Sequence, residues 1–342
     1  MSEPTINSIC EFLHAAGSQF KIIDMGRGLR TLTEQTFLEI EYQRQAVPFP
    51  RQQHMWLGCI FWNPNLSEQQ FIWFLKLPLD ERGLLNQAAR NMFLEKVVEA
   101  LGADLGLSEE KNGELGDNPF TFTPTQTQLA HFSALAKVQL DLPATDLTSA
   151  LAYIAEPMKV DWQTLSVQSI AELTIRHASP EIYPLLNKYL GQLHGPVLKM
   201  LFEGLENCEL HKPLAITIAK QLQDFIADYE TYTDQVHLCI RALAQASLEL
   251  QVKYLKHILA LPSLEVDTLI LLSARWMNAL SANPNDLDRF LVHLTHCEDD
   301  VFIGLYQDLV QLPNVRPVLL GLIHQKTASP VILTKLQSIL EQ

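Results

Sequence analysis

The sequence predicts a predominantly helical chain: an α+β domain at the N-terminus, followed by an all-α helical-repeat domain of the HEAT-like α-solenoid type. Two patterns support this prediction. Alternating apolar residues, which are typical of strands, occur only in the N-terminal part, whereas short apolar stripes at helical spacing continue from there to the end. A stretch rich in glycine and charge separates the two. We therefore expect an α+β domain in residues 1–102, a linker in 103–122 and the helical-repeat domain in 123–342.

The α+β domain is predicted to hold about four mostly antiparallel strands between two helices. A stripe that includes Ile6, Ile9 and Leu13 predicts the first helix, with Gly17 as its stop. The expected strands are "FKIIDMGRGLR", "QTFLEIEYQ", "MWLGCIFWN" and "QFIWFLKLPL". The segment "GLLNQAARNMFLEKVVEALG" then predicts a helix that ends at Gly102 and is capped by Asp80.

The last two strands carry three of the five tryptophans: Trp56, Trp62 and Trp73. Apolar residues occupy both faces of these strands, unlike the strands of a sheet with one wet side. Because large bare apolar patches are uncommon on soluble proteins, we expect the sheet to be covered on both faces and the tryptophans to be buried. An exposed face that binds a partner is the alternative.

The helical domain is predicted to begin with a capping box, in which Thr123 is the N-cap and Gln126 reaches back to it. Pro180, Pro196 and Pro213 each precede an apolar stripe and lie 16 and 17 residues apart. This spacing predicts helices of about 12 residues and helix pairs of about 33 to 35 residues. Such helices are unstable alone, so we expect stacked antiparallel pairs. An irregular helical bundle is the alternative.

Composition excludes several classes of function. The chain has 25 Lys+Arg against 39 Asp+Glu, and the net charge of -14 disfavours nucleic-acid binding. Five cysteines without a CxxC motif indicate reduced thiols rather than a disulfide framework. The N-terminus has no basic region typical of a signal peptide, and no apolar run approaches the roughly 18 residues of a membrane span. We therefore expect a cytoplasmic protein with no membrane or nucleic-acid partner.

Three blocks, "FKIIDMGR", "WLGCIFW" and "IWFLKLPLDERGLLNQAARNMFLEKVVEALG", resemble a family of gammaproteobacterial proteins, the domain of unknown function 3549 family. The likeness extends over nearly the full chain, although its specific part lies in these blocks. The resemblance implies a bacterial cytoplasmic protein with the same two-part layout. It transfers no catalytic or binding residue to this sequence.

Two motifs suggest ligand chemistry. "DMGRG" is the nearest approach to a phosphate loop, but it lacks the Lys-Ser/Thr pair, and we interpret it as a turn that uses Gly26 and Gly28 for unusual dihedrals. In "HLTHCEDD", His293, His296 and Cys297 have the i, i+3, i+4 spacing of one helix face, as zinc ligands can. A second ligand-bearing element is not evident, so we favour a mixed helix and expect no metal or cofactor.

The leading functional hypothesis is a non-catalytic scaffold that binds a protein partner through the helical array. With the net charge of -14, an acidic face that selects a basic partner is expected. Four acidic residues, expected to be exposed, are the candidates: Glu203, Glu206, Glu209 and Asp224. An enzyme or small-ligand-binding protein that uses the aromatic sheet is the alternative, although no catalytic motif is found.

Overall fold

A computed structural model describes residues 7–67, 69–104 and 118–341 of the chain. The chain divides into two compact units, Met1–Pro124 and Thr125–Gln342. Residues 105–117, which make up most of the predicted linker, lie outside the described residues, as does Ile6 of the first predicted stripe.

The first unit is an antiparallel four-stranded sheet with three helices. Its elements are α1 (Ile9–Ala15), β1 (Gln19–Asp24), β2 (Arg30–Leu32), α2 (Glu34–Glu41), β3 (His54–Trp62), β4 (Phe71–Pro78) and α3 (Gln87–Asp104). The strand order is β2-β1-β3-β4. Residues 120–122 extend the sheet beyond β4, because the Lys76 N–H donates to the Phe120 carbonyl (2.7 Å) and the Phe122 N–H donates to the Phe74 carbonyl (3.1 Å).

The segment "QTFLEIEYQ" is the helix α2, so its prediction as a strand was wrong. The Thr33 hydroxyl accepts from the Thr36 N–H and starts the helix. Phe37, Ile40 and Glu41 then point inward, at i, i+3 and i+4. Glu41 is buried because its carboxylate accepts from the first N–H groups of α1, at Ile9 (2.6 Å) and Cys10 (3.1 Å). The fourth strand is β2, which returns from β1 through the glycine turn.

The start of α3 also differs from the prediction. The side chain of Asp80 accepts from the N–H groups of Arg82 (2.9 Å) and Leu84 (2.8 Å), so it closes the turn after β4 and does not cap the helix. The helix begins later, where the Asn86 side chain accepts from the Ala89 N–H (3.1 Å). It then continues through Gly102 to Asp104.

The sheet packs one face on the helices of its own unit. Core residues from the strands include Leu57 and Leu75, which meet Phe37 of α2 and Phe93 of α3. Trp73 is half-buried at the edge of this core and lies edge-on to Phe93, at 5.4 Å between ring centroids. On the opposite face, the central residues Ile23 and Ile60 are also buried.

The three tryptophans are less buried than expected: Trp56, Trp62 and Trp73 are each half-buried. At the start of β4 the apolar surface is open, since Phe71 is 49% exposed and Ile72 is 42% exposed. The sheet is therefore covered over its centre and left partly bare at this end.

From Thr125 to Glu341, every regular element is a helix. The α-helices of this second unit are α4 (Gln126–Gln139), α5 (Thr148–Ala155), α6 (Val167–Ile175), α7 (Tyr183–Tyr189), α8 (Gly195–Leu205), α9 (Lys212–Ala227), α10 (Tyr229–Ala242), α11 (Leu248–Ile258), α12 (Val266–Arg275), α13 (Met277–Ser281), α14 (Pro284–Leu294), α15 (Asp299–Gln311), α16 (Arg316–His324) and α17 (Pro330–Leu340). Two short 3₁₀ helices, at Trp162–Thr164 and Leu190–Gln192, join them.

The capping box that starts this unit is present, but two residues later than predicted. Thr125 is the N-cap and Gln128 reaches back to its N–H. The sequence TPTQTQ contains the Thr-x-x-Gln pattern twice, at Thr123 and at Thr125. The pattern at Thr123 does not cap the helix, because the chain just before it is still extended, where Phe122 pairs with β4.

Helices of the second unit alternate between two rows. The helices α4, α6, α8, α10 and α12 contact one another in that order, and so do α5, α7, α9, α11 and α13. Polar contacts within a row join residues about one helix pair apart. The His177 ring accepts a hydrogen bond from the His211 N–H, and the Gln223 side chain is hydrogen-bonded to the His257 ring; each pair is 34 residues apart. The Trp276 indole donates to the Ile240 carbonyl, 36 residues earlier. The helices α14 to α17 pack after these rows.

Gly204 shows how tightly the first row is packed. A Cβ atom at this position of α8 would lie 2.7 Å from His131 of α4 and 2.8 Å from Thr174 of α6. Both neighbours are buried, so neither can move aside without disturbing its own helix.

We expect Gly204→Ala to destabilise the second unit by about 1–3 kcal/mol, because the methyl group overpacks the contact between three helices. Gly304→Ala is the matched control: it lies within α15, and no atom of another helix lies within 4 Å of the added Cβ. It should stabilise the protein by about 0.5–1 kcal/mol, since alanine favours the helix. Chemical unfolding measures both. Equal effects at the two sites would contradict the described packing.

Candidate protein-interaction site

The predicted metal ligands do not share a helix face. The helix α14 ends at Leu294, so His296 and Cys297 lie beyond it. The His293 ring instead contacts the end of α11, with Nε2 3.2 Å from the Leu259 carbonyl. Within residues 7–67, 69–104 and 118–341, no group of three or more His, Cys, Asp or Glu side chains is arranged to hold a metal ion.

Cys208, His177 and the backbone N–H of His211 form a structural cluster after the ends of α6 and α8. The Cys208 Sγ lies 3.6 Å from His177 Nδ1, which in turn donates to the Thr174 carbonyl (2.8 Å). Burial raises the pKa of the Cys208 thiol to about 12 and lowers the pKa of His177. A neutral imidazole beside a protonated thiol is not an activated nucleophile. The cluster holds α6 against α8.

The "DMGRG" motif forms a buried turn. Gly28 has φ +106°, as expected, but Gly26 is required for another reason: a Cβ there would lie 2.1 Å from the Phe49 carbonyl oxygen. Asp24 Oδ1 accepts from the Gly26 N–H (2.9 Å), and Oδ2 has no hydrogen-bond partner among the described residues. Burial raises the pKa of Asp24 from 3.8 to about 7. The motif therefore anchors β1 within the fold.

Two basic side chains of the protein, Arg51 and Lys76, contact the ring of Trp56. The Arg51 guanidinium carbon lies 5.0 Å and the Lys76 ammonium 4.8 Å from the centre of its ring. Phe122 packs edge-on at 4.8 Å, and the indole N–H donates to the Arg51 carbonyl (3.0 Å). These contacts cover the Trp56 ring, which belongs to the aromatic sheet that the sequence suggested for ligand binding.

Of the four acidic candidates, Glu206 is buried, so the expectation that all four are exposed was wrong. Arg241 of α10 binds its carboxylate through Nε (3.0 Å) and Nη2 (3.2 Å). Arg275 of α12 binds the same two oxygens at 2.9 and 3.3 Å. Burial alone raises the pKa of Glu206, but the two guanidinium groups outweigh it and hold the pKa below its usual range. Glu206 is therefore ionised and joins three successive helices of one row.

A second buried carboxylate sits in the same row. Glu172 of α6 accepts from the Lys137 ammonium of α4 (2.6 Å) and from Arg176 (2.9 Å). Lys137 and Glu172 are 35 residues apart, the same separation as Glu206 and Arg241. The charges along this row are thus paired at a constant interval. They are committed to helix packing.

The remaining acidic candidates do not form one surface. Glu203 is half-buried, with Arg241 3.7 Å from its carboxylate. Glu209 and Asp224 are exposed, but Glu209 precedes α9 and Asp224 lies near its end. At 1.5 Å per residue, about 18 Å of helix separates Asp224 from the first residue of α9.

Glu209 lines a groove that the sequence did not reveal. The groove has a volume of about 1000 Å³ and lies between the start of α9 and the start of α11. Its lining residues are Glu209, Leu210, Lys212, Ala215, Ile216, Gln245, Ala246, Ser247, Glu249, Leu250 and Lys253. Ile216 is 42% exposed in it, and Leu248 beside it is 49% exposed. An apolar residue outside the buried stripe at the start of each helix, as Ile216 and Leu248 are, is the signal that sequence analysis could have used.

Comparison with known families gives a match over nearly the whole chain. The model for "Protein of unknown function (DUF3549)" matches residues 4–340. The chain belongs to this family. The resemblance predicted from the N-terminal blocks is thereby confirmed and extends through the helical unit. No curated protein and no solved structure matches the chain. Across the described part of this family member, no helix combines the length and apolarity needed to cross a bilayer.

Removal of the Glu206 carboxylate should destabilise the helical unit. We expect Glu206→Ala to cost about 2–3 kcal/mol in the free energy of unfolding, because it leaves Arg241 and Arg275 without their partner. Glu209→Ala, an exposed carboxylate three residues later, should stay within about 0.5 kcal/mol of the wild type. Chemical unfolding in matched buffers measures both. If the two variants unfold alike, the clamp does not stabilise the fold.

The raised pKa of Asp24 predicts a pH dependence. In the folded chain this carboxyl is protonated below about pH 7, whereas in the unfolded chain it ionises above about pH 4. Its contribution to stability therefore falls as the pH rises from about 4 to 7. We expect Asp24→Asn to be more stable than the wild type above pH 7 and the difference to vanish towards pH 4. Unfolding curves across this range test it. A variant that is less stable throughout would contradict it.

Proposed function

We propose that this chain is a non-catalytic interaction protein that binds a protein partner through its helical unit. The two alternating rows of helices, linked by contacts about one helix pair apart, support a HEAT-like α-solenoid. Such arrays work as binding scaffolds, because stacked repeats present long surfaces.

Paired charges support a binding role over a catalytic one. Glu172 and Glu206 are saturated by cations, and the His177–Cys208 pair is neutral. A catalytic acid, base or nucleophile needs access to substrate and a pKa matched to its task. These four groups are instead engaged in contacts between helices.

The observation that carries the proposal is the groove between α9 and α11. Its volume of about 1000 Å³ and its exposed Ile216 suit the apolar anchor of a protein ligand. The charged residues Glu209, Lys212 and Glu249 surround this apolar surface, which is the usual composition of a protein-binding site. We further propose that the protein acts in the bacterial cytoplasm, where its five free cysteines remain reduced.

Comparative affinity capture tests this function. The full-length wild type and two variants, Ile216→Asp and Ile270→Asp, serve as baits in extracts of the natural host. Both isoleucines are 42% exposed on helices, but only Ile216 lines the groove. We expect one or a few proteins to be enriched by the wild type and by Ile270→Asp, and to be lost with Ile216→Asp.

Two results would count against the proposal. One is the absence of any protein enriched over an unrelated acidic bait of similar size. The other is equal loss of partners in both variants, which would point to general damage to the fold. Circular dichroism of the three baits would show whether either variant is misfolded.

A further inference from the structure

A second cavity, the C-terminal cavity, opens between α15, the end of α16 and α17. Its volume is about 660 Å³, which is typical of sites that bind small molecules. Six of its lining residues are large apolar side chains that remain half-buried or exposed: Ile303, Ile323, Leu333, Leu336, Ile339 and Leu340. The packing of these three helices therefore leaves a concave apolar surface accessible.

The walls of the C-terminal cavity are stripes at helical spacing. Phe302 and Tyr306 lie one turn apart on α15, and their rings stack at 5.9 Å between centroids. Leu333, Leu336 and Leu340 follow an i, i+3, i+7 pattern on α17. At 1.5 Å per residue, this wall is about 11 Å long. The apolar lining is thus continuous along α17, as a site for an apolar chain requires.

The polar lining residues of this cavity all carry hydrogen-bond donors. They are Tyr306, Gln307, Lys326 and Gln337. Within residues 7–67, 69–104 and 118–341, none of these four side chains makes a hydrogen bond or an ion pair. Burial raises the pKa of the Tyr306 hydroxyl, so this group keeps its proton and can donate it to a ligand. Four donors around an apolar surface suit a ligand that ends in acceptor oxygens.

Lys326 gives the cavity a positive charge. It follows α16 with φ +53°, and its N–H donates to the Ile323 carbonyl (3.2 Å), which fixes the point at which its side chain leaves the corner. The nearby Lys335, over the ring of Phe302, is paired with Asp299 and does not line the cavity. Among the described lining residues there is no carboxylate. The sign of the charge therefore favours an anionic ligand.

We propose that the C-terminal cavity binds an amphipathic carboxylate, a molecule with one apolar chain and a carboxylate head, as a fatty acid has. The chain packs along the α17 wall, and the head accepts hydrogen bonds at Lys326. A neutral hydrocarbon would leave the donors without partners, and a cationic amphiphile would be repelled by Lys326. This site lies apart from the groove between α9 and α11, so the inference goes beyond the proposed function and does not rest on it.

Calorimetric titration of the full-length protein tests the chemistry of the ligand. The probes are dodecanoate, dodecanol and dodecyltrimethylammonium, each kept below the concentration at which it forms micelles. We expect dodecanoate to bind at one saturable site per chain, dodecanol about fivefold more weakly, and the ammonium compound at least about tenfold more weakly. Decanoate, which is shorter by two CH₂ groups, should bind about tenfold more weakly than dodecanoate.

Charge reversal at Lys326 is the sharpest test. Lys326→Glu should weaken dodecanoate binding about tenfold and strengthen dodecyltrimethylammonium binding about fivefold. Changes in opposite directions would not arise from damage to the fold. Lys256→Glu is the matched control, because Lys256 is exposed at the end of α11 and does not line the cavity. It should change neither affinity by more than about twofold.

A second pair of variants tests the apolar wall. Leu336→Asp should weaken dodecanoate binding at least about tenfold, because it places a carboxylate where the chain packs. Ile270→Asp, at an exposed position of α12 outside the cavity, should change it by less than about twofold. Circular dichroism checks that both variants are folded.

Three results would overturn the inference. One is the absence of saturable dodecanoate binding, and another is dodecanol binding as tight as that of dodecanoate. The third is dodecanoate binding that neither Lys326→Glu nor Leu336→Asp weakens, which would place the ligand elsewhere. A dimer in sedimentation experiments that Leu336→Asp dissociates would show that a second copy covers the cavity, and would overturn it as well. Protein capture that depends on Ile216 is measured separately, so the proposed function can hold or fail on its own.

Discussion

The helical unit depends on one buried carboxylate shared between two arginines. Glu206 stands at the end of α8, and it binds residues 35 and 69 positions later in the chain. An ionised carboxylate in this setting is stable only while both guanidinium groups are in place. The clamp therefore sets the separation of α8, α10 and α12. It also sets the register of the corners that follow them, including those that form the groove.

This constraint explains why charges fall into two classes. In the row that contains α8, acidic and basic residues meet across helices and are removed from solvent. At the corners before α9 and α11, the same residue types remain exposed and unpaired among the described contacts. A net charge of -14 thus gives little information about any particular face. What matters for binding is the charge that packing leaves over.

Sequence reasoning located most elements where local pattern decides them. Gly17, with φ +68°, ends the first helix region as expected, and the aromatic strands are β3 and β4. Sequence reasoning failed where tertiary contacts determine the local structure. α2 was predicted as a strand because its residues alternate, whereas in the structure Glu41 is buried and accepts from an N–H at the start of α1, 32 residues earlier. The capping box was misplaced because pairing with β4 chooses between two equal patterns.

The acidic candidates show the same limit at the level of the site. Glu206 and Glu209 are three residues apart and look alike in sequence, yet one is clamped and the other is exposed. Only the positions of Arg241 and Arg275, at the ends of later helices, distinguish them. A search for opposite charges separated by one or two helix pairs would have found this clamp.

The separation of charges also decides how the protein responds to salt. Ion pairs that are withdrawn from solvent are screened weakly, so the spacing of the row persists as ionic strength rises. The corner charges before α9 and α11 are exposed, so their interactions with any charged group are screened over the same range. Charged side chains of the same types therefore lie in two dielectric environments, the buried row and the exposed corners. The fold can keep the groove in shape at ionic strengths that screen its exposed charges, and the apolar surface of Ile216 is the part of the groove that salt screening does not weaken.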